Sequence, residues 1–175
     1  MNISKKFLPK KDFNELKNFI MSSYMPWHFI PKIVSNNQKD YQFEFCFIID
    51  GKINCTEEMI NVLNPILKKL KFKKLNNIKA NLLTKDIDIT EHGMHIDQYE
   101  GKTGIFYINK CNGYTKFENG KKIKSEENKY IEFDSKLKHT GSSCTDEKRR
   151  VVINFNYQWI YLITTGILNQ RYLQK

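Results

Sequence analysis

Three side chains that can ligate a metal ion have a spacing that would bring them together. His95 and Asp97 stand at positions i and i+2, and side chains so spaced leave the same face of an extended strand. His139 follows a strand-rich stretch that is long enough for the chain to return antiparallel and present a third ligand. Two histidines and one carboxylate form the facial triad that binds non-haem iron(II) and leaves coordination positions open.

The elements that must position these residues are short strands. Segments rich in β-branched and aromatic residues, bounded by Gly, Asn and Asp, favour strands over helices. They cover residues 78–83, 103–109, 114–117, 129–133 and 150–159. Regular short strands of this kind predict a double-sheet jelly roll.

Two helices are predicted ahead of these strands. The first covers residues 12–21, with Asp12 as its N-cap and apolar residues at helical spacing. The second begins after Thr56 and reaches residue 70, and Pro65 must kink or restart it. Both present one apolar face, so we expect them to support the sheets.

Two extended segments separate the predicted helices. Prolines hold residues 25–31 extended, because proline restricts its own backbone and that of its predecessor. A strand over residues 41–49 is predicted next, and it ends in the hairpin turn signal Asp50-Gly51. The side chains predicted on one face of that strand are Tyr41, Phe43, Phe45, Phe47 and Ile49.

The expected fold class is α+β, mainly β: a double-stranded β-helix, or jelly roll, with supporting N-terminal helices. A chain of 175 residues suits one domain with one core. Within it we expect helical and extended support over residues 1–77, the jelly-roll core with the site over 78–159, and a C-terminal extension over 160–175.

The order of the motifs resembles the prolyl-hydroxylase-like branch of the iron(II)/2-oxoglutarate-dependent oxygenase superfamily. The motifs that carry the resemblance are, in chain order, the H-x-D of His95 and Asp97, the Y-I-N that begins at Tyr107, the hairpin 113–117, His139, and Arg150 eleven residues later. The resemblance covers residues 78–159, and residues 138–157 are especially similar to small oxygenases of tailed phages.

This resemblance implies a dioxygenase, a hydroxylase that uses iron(II), 2-oxoglutarate as co-substrate and O2, with ascorbate as a candidate reductant, and that releases succinate and CO2. His95, Asp97 and His139 would be the catalytic metal ligands. Tyr107 would donate a hydrogen bond to 2-oxoglutarate. The hydroxylated substrate stays open between a prolyl or other peptide side chain, a free amino acid and another small molecule.

The resemblance also requires a basic residue that binds the far carboxylate of 2-oxoglutarate. A guanidinium suits this role, because it offers two parallel donors and stays protonated. Arg149 and Arg150 are neighbours on a strand and must point to opposite faces. With Arg150 toward the cavity, Val151 and the other odd-numbered apolar residues of the strand pack beneath the helices, so we favour Arg150 and keep Arg149 as the alternative.

Some residues depart from the family pattern or have no firm role. Tyr114 replaces the second glycine of the hairpin motif, and Leu83 lies where some relatives place a tyrosine. His92 is interpreted as a supporting or surface group, and His28 either lines a substrate entrance or packs. Candidate substrate contacts are Tyr99 and residues 27–30, and the roles of Asn109 and Asn156 stay open.

The net charge of +10 includes only three arginines among 29 basic residues. Because nucleic-acid-binding proteins usually use arginine, we favour a solvated lysine-rich surface over a nucleic-acid partner. The four cysteines form no C-x-x-C pair, and no apolar run is long enough for a signal peptide or membrane span. We therefore expect a cytoplasmic protein, in the host cytoplasm if the gene is viral; the oligomeric state stays open.

Two other function classes are compatible with these residues. One is a jelly-roll metal-binding isomerase or ligand-binding protein, which would release no succinate from 2-oxoglutarate. The other is a basic nucleic-acid-binding module, whose binding would weaken steeply with salt and would survive loss of His95 and Asp97.

Overall fold

Strands dominate the computed structural model, which describes residues 1–34 and 41–159. The strands are β1 (Asn2–Ser4), β2 (His28–Ile30), β3 (Gln42–Ile49), β4 (Lys52–Ile53), β5 (Phe72–Thr84), β6 (Lys102–Tyr107), β7 (Tyr114–Phe117), β8 (Lys122–Lys124), β9 (Lys129–Asp134), β10 (His139–Gly141) and β11 (Arg149–Trp159). The helices are α1 (Lys10–Ile20), α2 (Glu57–Asn61) and α3 (Asn64–Leu67). The expected C-terminal extension lies outside the described residues.

Two antiparallel sheets form the predicted jelly roll. The larger sheet has the strand order β1-β9-β6-β11-β5-β3-β2, with β4 paired to β3, and the smaller has the order β10-β7-β8. The segment that carries His95 runs beside β10 through isolated bridges from Glu91 to Ser142 and from His95 to His139. This segment therefore acts as a further short strand of the smaller sheet.

The helices cover the outer face of the larger sheet. The buried residues of α1 are Phe13, Leu16 and Ile20, and the buried residues of β11 in the same apolar cluster are Val151, Ile153, Phe155 and Tyr157. A second, smaller cluster lies between the sheets and includes Ile105, Phe133 and Val152. The alternation expected along β11 is confirmed, and it leaves the even-numbered residues facing the space between the sheets.

The first helix begins two residues earlier than predicted. Its N-cap is Pro9, whose φ of −52° suits the start of a helix, and no side chain caps it. Asp12, predicted as the N-cap, lies instead in the first turn, where its negative charge still interacts favourably with the positive end of the helix dipole. The second predicted helix is two short ones: Thr56 caps α2 as expected, and Pro65 restarts the chain as α3.

The Asp50-Gly51 turn is confirmed, with φ values of 49° and 78° at its two residues. The strand before it departs from simple alternation, because a β-bulge lies between Cys46 and Ile48. The extra residue shifts the side-chain alternation. Ile48 therefore joins the core, whereas Ile49, predicted to share the face of Phe45, is 43% exposed.

Strand β5 is longer than predicted, since it begins at Phe72 rather than at residue 78. Pairing with β11 extends the strand through Lys74, a residue with weak strand preference, and two register shifts pass over Lys73 and Asn76. Strands β1 and β8, of three residues each, were not predicted. Every helix in the described part of the chain is too short or too polar to cross a lipid bilayer.

Candidate active site

The three predicted metal ligands meet between the two sheets. The ligand atoms of His95, Asp97 and His139 lie within 4.8 Å of one another. The Oδ1 atom of Asp97 is 3.5 Å from Nε2 of His95 and 3.7 Å from Nε2 of His139. Paired backbone hydrogen bonds join the two histidines, with N to O distances of 3.0 and 2.9 Å. The antiparallel return predicted from the sequence therefore brings the ligands together.

Hydrogen bonds fix both imidazole rings for metal binding. Nδ1 of His95 lies 3.1 Å from the carbonyl oxygen of Gly93, and Nδ1 of His139 lies 2.9 Å from that of Leu137. A carbonyl can only accept, so each Nδ1 carries a proton and each Nε2 is turned toward Asp97, where the neutral form of the ring offers a lone pair to a metal. Burial lowers the pKa of His139, which favours the neutral, ligating form.

Asp97 is held as an oriented carboxylate. Its Oδ2 accepts hydrogen bonds from the Thr103 hydroxyl at 2.7 Å and from Nδ2 of Asn156 at 2.9 Å. Burial by itself raises the pKa of Asp97, but the interaction with His95 and the hydrogen bonds from Thr103 and Asn156 outweigh it and lower the pKa well below the ordinary value. Oδ1 is left to face the two histidines, so the donor set suits a divalent metal.

A cavity of about 350 Å³ adjoins the ligands. Its wall combines both sheets: residues of β3, β5 and β11 on one side, and residues of β7 and β10 on the other. The polar or charged residues of the wall are Gln42, Glu44, Asn77, Lys79, Asn81, His92, His95, Asp97, Thr115, His139, Arg150, Asn154 and Asn156. The wall therefore suits a polar ligand.

Arg150 lies in this wall and is only 2% exposed. Its guanidinium donates to Oγ of Ser125 at 2.8 Å, to Oγ1 of Thr115 at 3.2 Å and to the carbonyl oxygen of Ser142 at 3.5 Å. All these partners are neutral, and no carboxylate of the described residues pairs with it. A buried guanidinium stays charged, so the site has an uncompensated positive charge beside the cavity.

Arg149 points to the other side of the sheet. Its guanidinium donates to the carbonyl oxygen of Met21 at 2.6 Å, next to helix α1. The structure therefore separates the two arginines as the alternation rule predicts, and only Arg150 lines the cavity.

Tyr107 is fully buried beneath Arg150, whose guanidinium carbon lies 5.8 Å from the centre of the tyrosine ring. Burial raises the pKa of Tyr107 to about 12, so the phenol stays protonated. Its hydroxyl donates to Oγ1 of Thr115 at 2.9 Å. Because Arg150 donates to the same oxygen, both acceptor positions of Thr115 are used and its own proton is free to point into the cavity.

Close packing explains the glycine at position 113. A Cβ atom on Gly113 would lie 2.6 Å from the carbonyl oxygen of Ser143 and 2.7 Å from Cδ of Arg150. Any larger residue would displace the arginine side chain. Gly113 of the hairpin motif therefore leaves room for Arg150, which lies 37 positions later in the chain.

Several predicted residues lie elsewhere. Tyr99, a candidate substrate contact, is 80% exposed and does not line the cavity. Residues 27–30 do not line it either, because β2 is the edge strand of the larger sheet, beyond β3; His28 is stacked on Phe45 with ring centres 6.2 Å apart. Asn109 holds backbone groups of β11, donating to the carbonyl oxygen of Arg149 and accepting from the amide of Val151.

Other residues take part in the site more directly than the sequence indicated. His92, interpreted as a supporting or surface group, lies in the cavity wall, because its segment runs along β10. Leu83 also lines the cavity. Asn156, left open, orients Asp97. Tyr114, the departure from the hairpin motif, donates a hydrogen bond to Glu91 at 2.6 Å. It so anchors, from outside the cavity, the segment 91–97 that carries His95 and Asp97, here called the ligand segment.

Two cysteines that are distant in sequence meet behind the arginine. The Sγ atoms of Cys111 and Cys144 and a carboxylate oxygen of Asp146 lie within 4.8 Å of one another. Both thiols are free, and burial, followed by the neighbouring Cys111, raises the pKa of Cys144 to about 12. The sequence lacked a C-x-x-C motif, so this neighbourhood could not be found from spacing.

No protein-family model and no curated protein sequence matches the chain. Solved structures do match. An oxidoreductase of the 2OG-Fe(II) oxygenase family from Burkholderia pseudomallei has a TM-score of 0.62 at 11% sequence identity, covering 85% of this chain and 78% of that one. A prolyl-4-hydroxylase from Pseudomonas putida has a TM-score of 0.59 at 11% identity, covering 90% and 91%.

A third similar structure is a prolyl hydroxylase from Trichoplax adhaerens, solved in complex with a hypoxia inducible factor oxygen degradation domain peptide fragment. It has a TM-score of 0.60 at 16% identity, covering 90% of this chain and 83% of that one. At these identities the likeness concerns the fold. The resemblance stated from the sequence is therefore confirmed as a shared fold.

Proposed function

We propose that this protein is an iron(II)- and 2-oxoglutarate-dependent dioxygenase that hydroxylates a C–H bond of a peptide side chain or a small molecule. The observation that carries the proposal is the pairing of two features in one cavity. A cluster of two imidazoles and an oriented carboxylate stands at one place in the wall, and the buried, uncompensated Arg150 stands at another.

Each of these residues has a role in the proposal. His95, Asp97 and His139 would hold the metal, and Thr103 and Asn156 keep the Asp97 carboxylate in orientation. Arg150 would bind the far carboxylate of 2-oxoglutarate and thereby receive the negative charge that its surroundings lack. Thr115 would donate its free proton to the same carboxylate, so Tyr107, predicted as a direct donor, acts through Thr115.

The reaction balances without a further co-reactant. When bound, iron(II) supplies the means to split dioxygen against 2-oxoglutarate: one oxygen atom enters succinate as CO2 leaves, and the other enters the substrate as a hydroxyl group. The protein binds the co-substrate, orients it and limits what can reach the metal. The peptide complex of the Trichoplax adhaerens enzyme supports a peptide as one substrate class.

Succinate release without added substrate tests this function. With iron(II), ascorbate and 2-oxoglutarate, the wild-type protein should release succinate slowly, and Asp97→Ala should fall to the level of iron(II) alone, because a metal ligand is lost. Lys73→Met, an exposed change on β5 away from the cavity, is the control and should behave as wild type. Equal release by wild type and Asp97→Ala would refute the proposal and favour a metal-binding protein without 2-oxoglutarate turnover.

A further inference from the structure

One part of the cavity wall has no role in holding the metal or the co-substrate. It is formed by Glu44 of β3, Lys79 and Asn81 of β5, and Asn154 of β11, all of which line the cavity. Glu44 stands opposite Asn81 in the strand register, and Lys79 stands opposite Asn154. These four side chains therefore form a continuous polar patch across three neighbouring strands, here called the β3–β5–β11 patch.

The side-chain oxygens of the two asparagines of the patch lack hydrogen-bond partners among the described residues. The Oδ1 atoms of Asn81 and Asn154 are buried and accept no hydrogen bond from the described residues. Asn81 as a whole is only 6% exposed. Buried polar atoms in folded proteins nearly always have partners, so a donor that reaches these oxygens would complete their hydrogen bonding.

The other two residues of the patch are oppositely charged and adjacent. Nζ of Lys79 lies 3.1 Å from Oε2 of Glu44, and 37% and 19% of the respective side chains are exposed. An ion pair in a cavity wall presents a donor charge and an acceptor charge side by side. A ligand that carries both charges on neighbouring atoms can meet both at once.

The position of the patch suits a substrate. Asn154 stands two residues before Asn156 on the same face of β11, and Asn156 contacts the metal ligand Asp97. Two residues along a strand span about 7 Å, which would bring a group bound at the patch within one small side chain of the metal. The cavity of about 350 Å³ is small for a binding pocket and must also hold 2-oxoglutarate.

From these observations we infer that the β3–β5–β11 patch binds the α-ammonium and α-carboxylate groups of a free amino acid, which is the substrate. The inference rests on the proposed function. The ammonium group donates to Glu44 and to the Asn81 and Asn154 oxygens, and the carboxylate accepts from Lys79 and the amide nitrogens. The side chain of the amino acid then extends toward the metal and is hydroxylated with the stoichiometry given above.

A side chain inserted from a peptide fits the patch less well. A prolyl or other apolar side chain would seal the cavity while both asparagine oxygens lacked donors. A lysyl side chain would satisfy Glu44 but would bring a second positive charge beside Lys79. Only a zwitterion complements the whole patch.

The test compares free amino acids with derivatives that lack both charges. Each proteinogenic L-amino acid and its N-acetyl amide is added to the wild-type protein with iron(II), ascorbate and 2-oxoglutarate. We expect one or a few free amino acids to raise succinate release roughly tenfold, because a bound substrate couples the decarboxylation of 2-oxoglutarate to its own hydroxylation. The blocked derivatives should have no effect. Binding of the same amino acid is measured by calorimetry with Mn(II) and 2-oxoglutarate without oxygen.

Variants locate the binding to the patch. Glu44→Gln and Lys79→Met should each raise KM for the stimulating amino acid roughly tenfold or more, with a smaller change in kcat, because one charge-assisted hydrogen bond is lost. Lys73→Met, the exposed lysine of the same strand, should leave KM unchanged. Unchanged KM in both patch variants would overturn the inference.

The outcomes separate the inference from the function on which it rests. If the wild type releases no more succinate than Asp97→Ala, the proposed function is refuted. If succinate release depends on Asp97 but no free amino acid stimulates it, and calorimetry detects no bound amino acid, only the inference is refuted. Stimulation by peptides or by N-acetyl amides instead of free amino acids has the same meaning.

Discussion

The two ends of the cavity differ in how their polar groups are satisfied. At the end that holds the predicted metal ligands, Asp97 and Arg150 have several protein partners: Asp97 accepts two hydrogen bonds on Oδ2, and the Arg150 guanidinium donates three. In the β3–β5–β11 patch, the oxygens of Asn81 and Asn154 have none.

This difference separates a preorganised site from one that a ligand completes. Groups fixed by the protein can bind a metal and a co-substrate that are the same in every turnover, without reorganisation on binding. Groups without partners are satisfied only while the right substrate is bound, so they contribute to selectivity rather than to stability. The predictions below test this division, from the largest expected effect to the smallest.

The largest effect is expected for Arg150→Leu. Removal of the buried guanidinium should weaken 2-oxoglutarate binding by at least about 100-fold, because a desolvated charge pair is lost. Calorimetry with Mn(II) as a stand-in for iron(II) measures the affinity. Arg149→Leu is the matched control: it removes the same group from the opposite face and should change the affinity less than about threefold. The reverse pattern would show that the strand faces have been assigned wrongly.

A smaller loss is expected when the orientation of Asp97 is disturbed. Asn156→Leu and Thr103→Val each remove one donor to Oδ2. Metal affinity should fall roughly 10- to 100-fold, as is usual when a hydrogen bond to a metal ligand is removed. Competition with a chelator measures it. Metal affinity equal to that of the wild type in both variants would mean that these donors do not hold the carboxylate in place.

Stability should change in opposite directions at the two ends. Asn81→Leu replaces a buried amide that lacks a partner, so the free energy of unfolding should rise by about 1 kcal/mol. Asn156→Leu removes a satisfied amide and should lower it by a similar amount. Urea denaturation of the ligand-free variants measures both values. A loss of stability in Asn81→Leu as large as in Asn156→Leu would remove the distinction between the two ends.

The smallest effect concerns the outer support of the ligand segment. Hydrogen bonds from Lys116 and then Tyr114 lower the pKa of Glu91 from 4.5 to about 2. Because the pKa of Glu91 is lower in the folded protein than in the unfolded chain, the ionised carboxylate stabilises the fold at pH values above 4.5. That contribution disappears as the pH falls from 4.5 through about 2. Glu91→Gln should therefore reduce Tm slightly at neutral pH, by the equivalent of less than 1 kcal/mol for an exposed network, and not at all once the pH is below about 2. Thermal melts across this range measure it, and a difference that persists at low pH would contradict the assignment.

Local patterns were sufficient to predict that His95 and Asp97 lie together and that Arg150 faces the cavity. The i, i+2 spacing of His95 and Asp97 fixes a shared face on any strand, and alternation along β11 decides between Arg149 and Arg150. The Asp50-Gly51 turn and the restart at Pro65 likewise follow from the backbone preferences of these residues alone.

Features that depend on distant parts of the chain could not be predicted. The bulge after Cys46 follows from the register between β3 and β5, and beyond it Ile49 lies in the cavity wall rather than in the core. Thr115 accepts hydrogen bonds from Arg150 and Tyr107, which lie on the other sheet. The patch residues Glu44 and Asn81 are far apart in sequence and become neighbours only through strand pairing.

The most direct test of the central claim is the dependence of 2-oxoglutarate binding on the metal. If His95, Asp97 and His139 hold a metal that 2-oxoglutarate chelates, calorimetry should detect tight 2-oxoglutarate binding to the wild type with Mn(II). Binding should be much weaker without Mn(II), and equally weak in Asp97→Ala with Mn(II) present. Binding of 2-oxoglutarate that is the same with and without metal, or that survives in Asp97→Ala, would contradict the account.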